Sequence, residues 1–166
     1  MRIRPETADD SLAVAELNRD AFGGPYEADL IERLHAEGLA AVSLVALENE
    51  TIVGHILFSD LSVELDGRLV RAVALAPMCV RSDRQRRGTG SALVRAGLDA
   101  VGKAGYQAVI VLGHPEYYSR FGFSSELAEK LASPFPGNAF MALELMPGAL
   151  RGTHGKVTYP AAFAVD

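Results

Sequence analysis

One stretch limits the folds open to this chain more than any other. It runs from an apolar segment, Ala72 to Val80, through a loop rich in arginine and glycine, into a helical stripe and a second apolar segment, Ala108 to Leu112. Leu93, Ala96, Gly97, Ala100 and Val101 recur at the three- and four-residue spacing of a helix face. Short apolar runs with no polar side read as strands covered on both faces. Two such strands joined by one helix form a βαβ unit, whose crossover is right-handed by strong default. Pro77 interrupts the first strand; it has no N–H for a ladder and predicts a bulge or local splay there.

The remaining elements attach to this unit. Arg2 to Arg4 is a short strand stopped by Pro5. Thr7 to Asp10 offers helix caps ahead of Val14, Leu17 and Ala21, and Gly23-Gly24-Pro25 breaks that helix. A second helix is expected from Tyr26 to Ala36, burying Leu30, Ile31 and Leu34 and ending at Gly38. Ser43 to Glu48 and Thr51 to Asp60 form a hairpin at Asn49-Glu50; Ser62 to Leu65 and Arg68 to Val80 flank Asp66-Gly67, a strong two-residue hairpin signal. Gly105 closes the helix of the βαβ unit. Glu126 to Ala132 is expected as a short helix, Pro134 to Gly137 as loop, and Phe140 to Leu145 and Lys156 to Tyr159 as strands. With no repeat or linker, residues 1–166 read as one domain.

The loop Arg81-Ser-Asp-Arg84-Gln-Arg86-Arg87-Gly88-Thr-Gly90 concentrates positive charge in a chain of formal net charge −5. A glycine-bearing turn between a strand and a helix presents free N–H groups backed by the helix dipole, which suits phosphate. A P-loop would need lysine after the second glycine, and a dinucleotide fold a third glycine and a later acid. Neither is present. Gln85-Arg86-Arg87-Gly88-Thr89-Gly90 instead matches the pyrophosphate loop Gln/Arg-x-x-Gly-x-Gly/Ala of acyl-CoA-dependent transferases at every fixed position.

With that loop, the helix ending Asn18-Arg-Asp-Ala-Phe22, the segment Ala74-Leu-Ala-Pro77, the element Leu112-Gly-His-Pro-Glu-Tyr-Tyr-Ser-Arg-Phe-Gly-Phe123, Phe140 to Leu145 and Tyr159-Pro, the chain resembles the GNAT superfamily of N-acetyltransferases along nearly its whole length. The resemblance implies an α/β (α+β) fold. Its mixed, mostly antiparallel, twisted sheet would have about six to seven strands, splayed at the middle and flanked by about four helices. It implies acetyl-CoA as co-substrate and direct attack of an amine on the thioester. Backbone groups of Met78, Cys79 and Val80 would hold the pantetheine and the acetyl carbonyl. Gln85, Arg86, Arg87, Gly88, Thr89, Gly90 and Ser91 would hold the pyrophosphate. Arg81 and Arg84 read as rim or salt-bridge residues near Asp83. Tyr118, four positions before Gly122, matches the family tyrosine that protonates the departing thiolate; a phenol is neutral near pH 7 and has a proton to give. Neighbouring Tyr117 takes that role if the register slips by one.

A general base is less legible. Many relatives use a glutamate on the central strand, but Ala72 to Val80 holds no carboxylate; Glu27, His114, Glu116 or water remain. A non-catalytic acyl-CoA sensor is the alternative function, keeping the loop and needing neither Tyr118 nor a base. Cys79 in apolar surroundings is an unsuitable nucleophile. The histidines His35, His55, His114 and His154 lack metal-ligand spacing, so no metal is expected. A chain with 21 acidic and 16 basic side chains argues against nucleic acid as a partner. One cysteine, no secretion-signal pattern and no apolar run near the roughly 20 residues of a bilayer span point to the cytoplasm, away from membranes. The expected partner is a small-molecule or peptide amine. Homodimerisation is common in the family, and the C-terminal strand segment could mediate it.

Overall fold

The computed structural model describes residues 1–135 and 137–164. In order, the elements are β1 (Arg2–Pro5), α1 (Ser11–Phe22), α2 (Tyr26–Ala36), β2 (Ala40–Glu48), β3 (Thr51–Leu65), β4 (Arg68–Val80), α3 (Thr89–Lys103), β5 (Ala108–Leu112), α4 (Pro115–Tyr118), α5 (Ser125–Ala128), β6 (Leu131–Ala132), β7 (Phe140–Glu144) and β8 (Gly155–Thr158). The eight strands form one mixed, mostly antiparallel sheet with the hydrogen-bonded order β1-β2-β3-β4-β5-β7, to which β8 adds on β3 and β6 on β8. The chain divides into two compact units.

The first unit comprises Met1–Ser59 and Ala76–Val101. β1 and β2 pair antiparallel from Arg2↔Leu47 to Pro5↔Leu44, and β2 and β3 pair from Ala40↔Ser59 to Glu48↔Thr51. The Asn49-Glu50 turn has positive φ at both residues, which matches the right-handed twist of the hairpin it closes. α1 ends at Gly23, whose N–H returns to the Arg19 carbonyl. α1 buries Val14, Leu17 and Asn18, while α2 buries Ala28, Leu30, Ile31 and Leu34. Ile56 and Phe58 of β3 and Leu93 of α3 are fully buried, each such side chain contributing roughly 1.5–3 kcal/mol. The close approach of α3 depends on Gly97: a Cβ there would lie 2.1 Å from Phe58 Cε1.

The second unit comprises Asp60–Leu75 and the chain from Gly102 onward. β4 and β5 pair in parallel, Ala72↔Ala108 to Ala74↔Ile110, as the βαβ reading requires. β5 and β7 pair antiparallel from Ala108↔Glu144 to Leu112↔Phe140.

Three sequence expectations change. The two segments expected at 51–60 and 62–65 are one strand, because Leu61, Val63 and Leu65 stay buried in alternation with outward Ser62 and Glu64 and nothing in between breaks the pleat. The helix expected over 126–132 is a single turn, Ser125–Ala128, capped by Ser124 accepting from the Leu127 N–H; Leu131 and Ala132 instead pair in parallel with β8. With β6 and the one-turn α4, the described strands number eight and the α-helices five. Pro77 lies within β4, and the Ala76–Pro77 peptide is cis; Pro136 of the expected 134–137 loop lies outside the described residues. Among the described residues no helix is long and apolar enough to cross a membrane.

Candidate active site

The first unit carries the donor loop. β4 leads into it, and Cys79 is buried while Met78 and Val80 are half-exposed on the alternate side of the strand. The Arg81 N–H donates to the Val53 carbonyl at 2.7 Å, which ties the loop's start to β3. Gln85 Nε2 donates back to the Val80 carbonyl at 3.1 Å, so the family glutamine braces the turn from within. Gly88 has φ +82°, and its carbonyl accepts the Ala92 N–H, the bond that opens the α3 ladder. The N–H groups of Thr89 and Gly90 lie ahead of that ladder and have no partner within the helix, at its positive end. Thr89 is buried and Ser91 half-buried.

The arginines divide as their spacing suggests. Arg81 Nε lies 2.7 Å from Asp83 Oδ1, and Arg84 lies 3.2 Å from Asp83 and 3.3 Å from Glu48. Both are committed to carboxylates of the protein itself. Arg86 and Arg87 are exposed and, among the described residues, have neither hydrogen-bond nor ion-pair partners. Guanidinium groups left unengaged beside unpaired N–H groups suit a phosphate ester.

Of the three candidate bases, Glu27 alone belongs to this unit. It sits half-buried in the first turn of α2, and its negative charge reaches Cys79: burial first, and the Glu27 charge second, push the Cys79 thiol up to about 12. A thiol so disposed stays protonated and inert, as the apolar strand around it implies.

The second unit holds Tyr118, at the end of α4. Its N–H donates to the His114 carbonyl at 3.0 Å. The ring is 9% exposed and packs edge-on against Tyr117 at 5.0 Å and Phe123 at 5.7 Å between centroids. Gly113 makes room for it, since a Cβ there would lie 2.5 Å from Tyr118 Cε2. Burial, and then the neighbouring Tyr117, push the phenol up to about 12, and among the described residues its hydroxyl has no hydrogen-bond partner. It is a neutral, proton-bearing group across the working pH range. Tyr117 is half-buried with the Arg120 guanidinium 4.7 Å over its ring, and His114 and Glu116 are exposed.

Sequence reasoning missed a polar cluster in the first unit. His55 and Asn18 are fully buried, and Glu6 has a side-chain exposure of only 5%. The available signal was a histidine inside an apolar strand and an asparagine on the apolar stripe of α1, each of which needs a buried partner.

This fold and loop define an acyl-CoA transferase scaffold, and the chain belongs to the GNAT acetyltransferase family: residues 2–125 match the model described as an acetyltransferase (GNAT) domain. The chain is 35% identical over 166 residues to YhbS of Escherichia coli K12, described as an uncharacterized N-acetyltransferase, covering 98% of each protein. The crystal structure of E. coli YhbS in complex with CoA matches with TM-score 0.89 and 34% identity over 98% of this chain and 91% of that one. A GNAT family acetyltransferase from Brucella melitensis in complex with acetyl-CoA matches with TM-score 0.80 and 30% identity, over 98% and 97% of the two chains.

Proposed function

We propose that this protein transfers the acetyl group of acetyl-CoA to a primary amine by direct attack of the amine on the thioester. The observation that carries this reading is the donor loop. Its partner-free Arg86 and Arg87 flank the unpaired N–H groups at the start of α3, on a backbone like that of relatives solved with CoA and acetyl-CoA. The pyrophosphate lies on residues 85–91, with the Gly88, Thr89 and Gly90 backbone giving recognition and the two arginines adding charge-assisted bonds. Backbone groups of Met78, Cys79 and Val80 align the pantetheine and polarise the acetyl carbonyl, so catalysis is mostly positioning.

The amine nitrogen forms a bond to the carbonyl carbon, and the C–S bond breaks as the tetrahedral intermediate collapses. The amine's surplus proton passes to Glu27, the carboxylate whose charge is felt at Cys79. Tyr118 delivers its proton to the departing sulfur. Because burial makes its phenol a weaker acid than a thiol, the proton is shared with the sulfur as the C–S bond breaks, and Tyr118 regains it from solvent as CoA leaves. The whole chain acts as one catalytic unit in the reducing cytoplasm, on a small-molecule or peptide amine.

The test incubates purified protein with acetyl-CoA and a panel of diamines, amino acids and peptides with free N-termini, following thiol release. The expected result is amine-dependent release with a matching acetylated product by mass spectrometry. Tight CoA binding by calorimetry with no release across the panel favours the sensor reading, and no CoA binding at all removes both.

A further inference from the structure

Six polar side chains of the first unit form one hydrogen-bonded path behind the donor strand, and the transfer reaction uses none of them. The path starts at Cys79, whose thiol donates to Asn18 Oδ1 at 3.5 Å. Asn18 Nδ2 spends one hydrogen on the Val14 carbonyl at 2.9 Å and turns the other to His55 Nδ1 at 3.4 Å. His55 Nδ1 is therefore the acceptor, so the neutral ring carries its hydrogen on Nε2. That nitrogen lies 2.9 Å from Ser43 Oγ and 3.4 Å from Glu6 Oε1. Ser43 donates to Glu6 Oε1 at 2.5 Å, and His35, 41% exposed at the outer end, reaches the same oxygen at 3.2 Å.

Every hydrogen in the path has a direction, and all point toward Glu6. Burial works to raise the Glu6 carboxyl, but the hydrogen bonds from His35, His55 and Ser43 outweigh it and hold the group well below the usual carboxylate range. The path thus ends on a fixed negative charge, which orients each donor behind it in turn. At its other end Cys79 faces the path, while its neighbours Met78 and Val80 face the opposite side of the strand. A tether on Cys79 therefore holds from behind the backbone that faces the donor.

We propose that His55 and Asn18 are positioning residues of the acetyl-CoA site, fixing Cys79 and with it the β4 backbone at residues 78–80. The inference rests on the reading of that backbone as the pantetheine cradle. It adds a prediction that the reading alone does not make: the affinity for donor is set partly by a histidine with no surface exposure.

The lone cysteine gives a reporter independent of CoA. Maleimide labelling of Cys79 is measured without ligand in wild type, His55→Leu and His55→Gln, alongside the CoA Kd, the acetyl-CoA KM and kcat. Glutamine retains one acceptor and one donor on a planar head, and leucine retains neither. In His55→Leu the expected result is labelling about tenfold faster and an acetyl-CoA KM raised about tenfold with kcat within about twofold, the loss of a buried hydrogen-bonded link. His55→Gln should restore both to within about threefold. If His55→Leu does not fold, Ser43→Ala, at a half-buried position, is the second variant, with a smaller shift in the same two readouts. A folded His55→Leu, or a folded Ser43→Ala, with wild-type labelling and wild-type KM overturns the proposal. Faster labelling in a protein whose wild type binds no CoA would instead overturn the donor reading, leaving the tether intact but not the role assigned to it.

Discussion

Replacing Gly97 with alanine isolates the contact on which the seating of α3 depends. The new Cβ would stand 2.1 Å from Phe58 Cε1 and 2.6 Å from Cζ, whereas carbon atoms rest at about 3.5–4.0 Å. Either the ring or the helix must yield by roughly 1.5 Å, and the Phe58 ring is 0% exposed, packed within the core. Overpacking of this kind costs about 1–3 kcal/mol. Alanine returns about 1 kcal/mol of helix propensity, so the net loss is about 0–2 kcal/mol and the Tm falls by up to roughly 8 °C for a chain of this size. Gly102, in the same helix, is the control: a Cβ there meets nothing within 4 Å, so Gly102→Ala should raise the Tm by about 2 °C. Thermal melts of the two variants followed by circular dichroism give the comparison. A Phe58→Leu background, which shortens the obstructing side chain, should shrink the Gly97→Ala penalty by more than half. If Gly97→Ala stabilises the protein as Gly102→Ala does, the packing argument fails, and with it the claim that α3 and its N-terminal donor loop are held by that contact.

Tyr118→Phe should lower kcat about 10²-fold with the CoA Kd unchanged; an unaltered kcat removes the phenol from the mechanism. Glu27→Gln should lower kcat/KM about 10²-fold near neutrality and recover as the pH rises and the acceptor amine loses its own proton; a flat deficit at all pH values assigns Glu27 to binding instead. Arg86→Ala and Arg87→Ala should each raise the acetyl-CoA KM about fivefold at low salt, less at high salt, with kcat constant; steady-state kinetics at two ionic strengths check this. The Glu6–His35 pair predicts a stability optimum. His35 is raised by its hydrogen bond to Glu6, so its contribution is full below the ordinary histidine value of 6.5 and is lost as the pH climbs through the raised one. Glu6 is lowered, so its contribution is present above the ordinary 4.5 and is lost only in strong acid. Because His35 is partly exposed, its share is at most about 1 kcal/mol, or roughly 2–4 °C. His35→Gln should flatten the decline in Tm between pH 5.5 and 8.5, and an unchanged slope excludes the pair as its source.

Features that depend on neighbours in sequence were legible in it. The helix stripe of α3, the hairpin turns at 49–50 and 66–67, and the division of the loop arginines into Asp83 partners and unpartnered cations all follow from spacing. Composition misled where a local pattern had two outcomes. Residues 126–132 carry a plausible helical pattern, but Leu131 gains more by pairing with β8 than by extending one turn of helix. The path from Cys79 to His35 was illegible for a different reason. Residues 6, 18, 35, 43, 55 and 79 have no common period and come from six separate segments, so only the fold brings them to hydrogen-bond distance.

That path also bears on the missing carboxylate of the central strand. Residues 73–80 place no charge in the middle of the sheet, where an unpaired carboxylate would cost several kcal/mol. On the proposed mechanism, the charge and hydrogen bonding come from elements packed around the strand. Glu27 lies in the first turn of α2, where the proposed mechanism uses it as the base, and Asn18 bonds Cys79 from α1. A base carried on a helix is free to differ in reach without disturbing the sheet, but its placement is only as firm as the contacts between helix and strand. Asn18 supplies such a contact, since it binds Cys79 on one side and the Val14 carbonyl of its own helix on the other. On this reasoning Asn18→Ala should affect both halves of the reaction, loosening the donor through Cys79 and displacing the helix pair that carries Glu27. A fall in kcat together with a rise in acetyl-CoA KM would then separate Asn18 from His55, which reaches Cys79 only through Asn18 and leaves the Asn18 bond to Val14 in place.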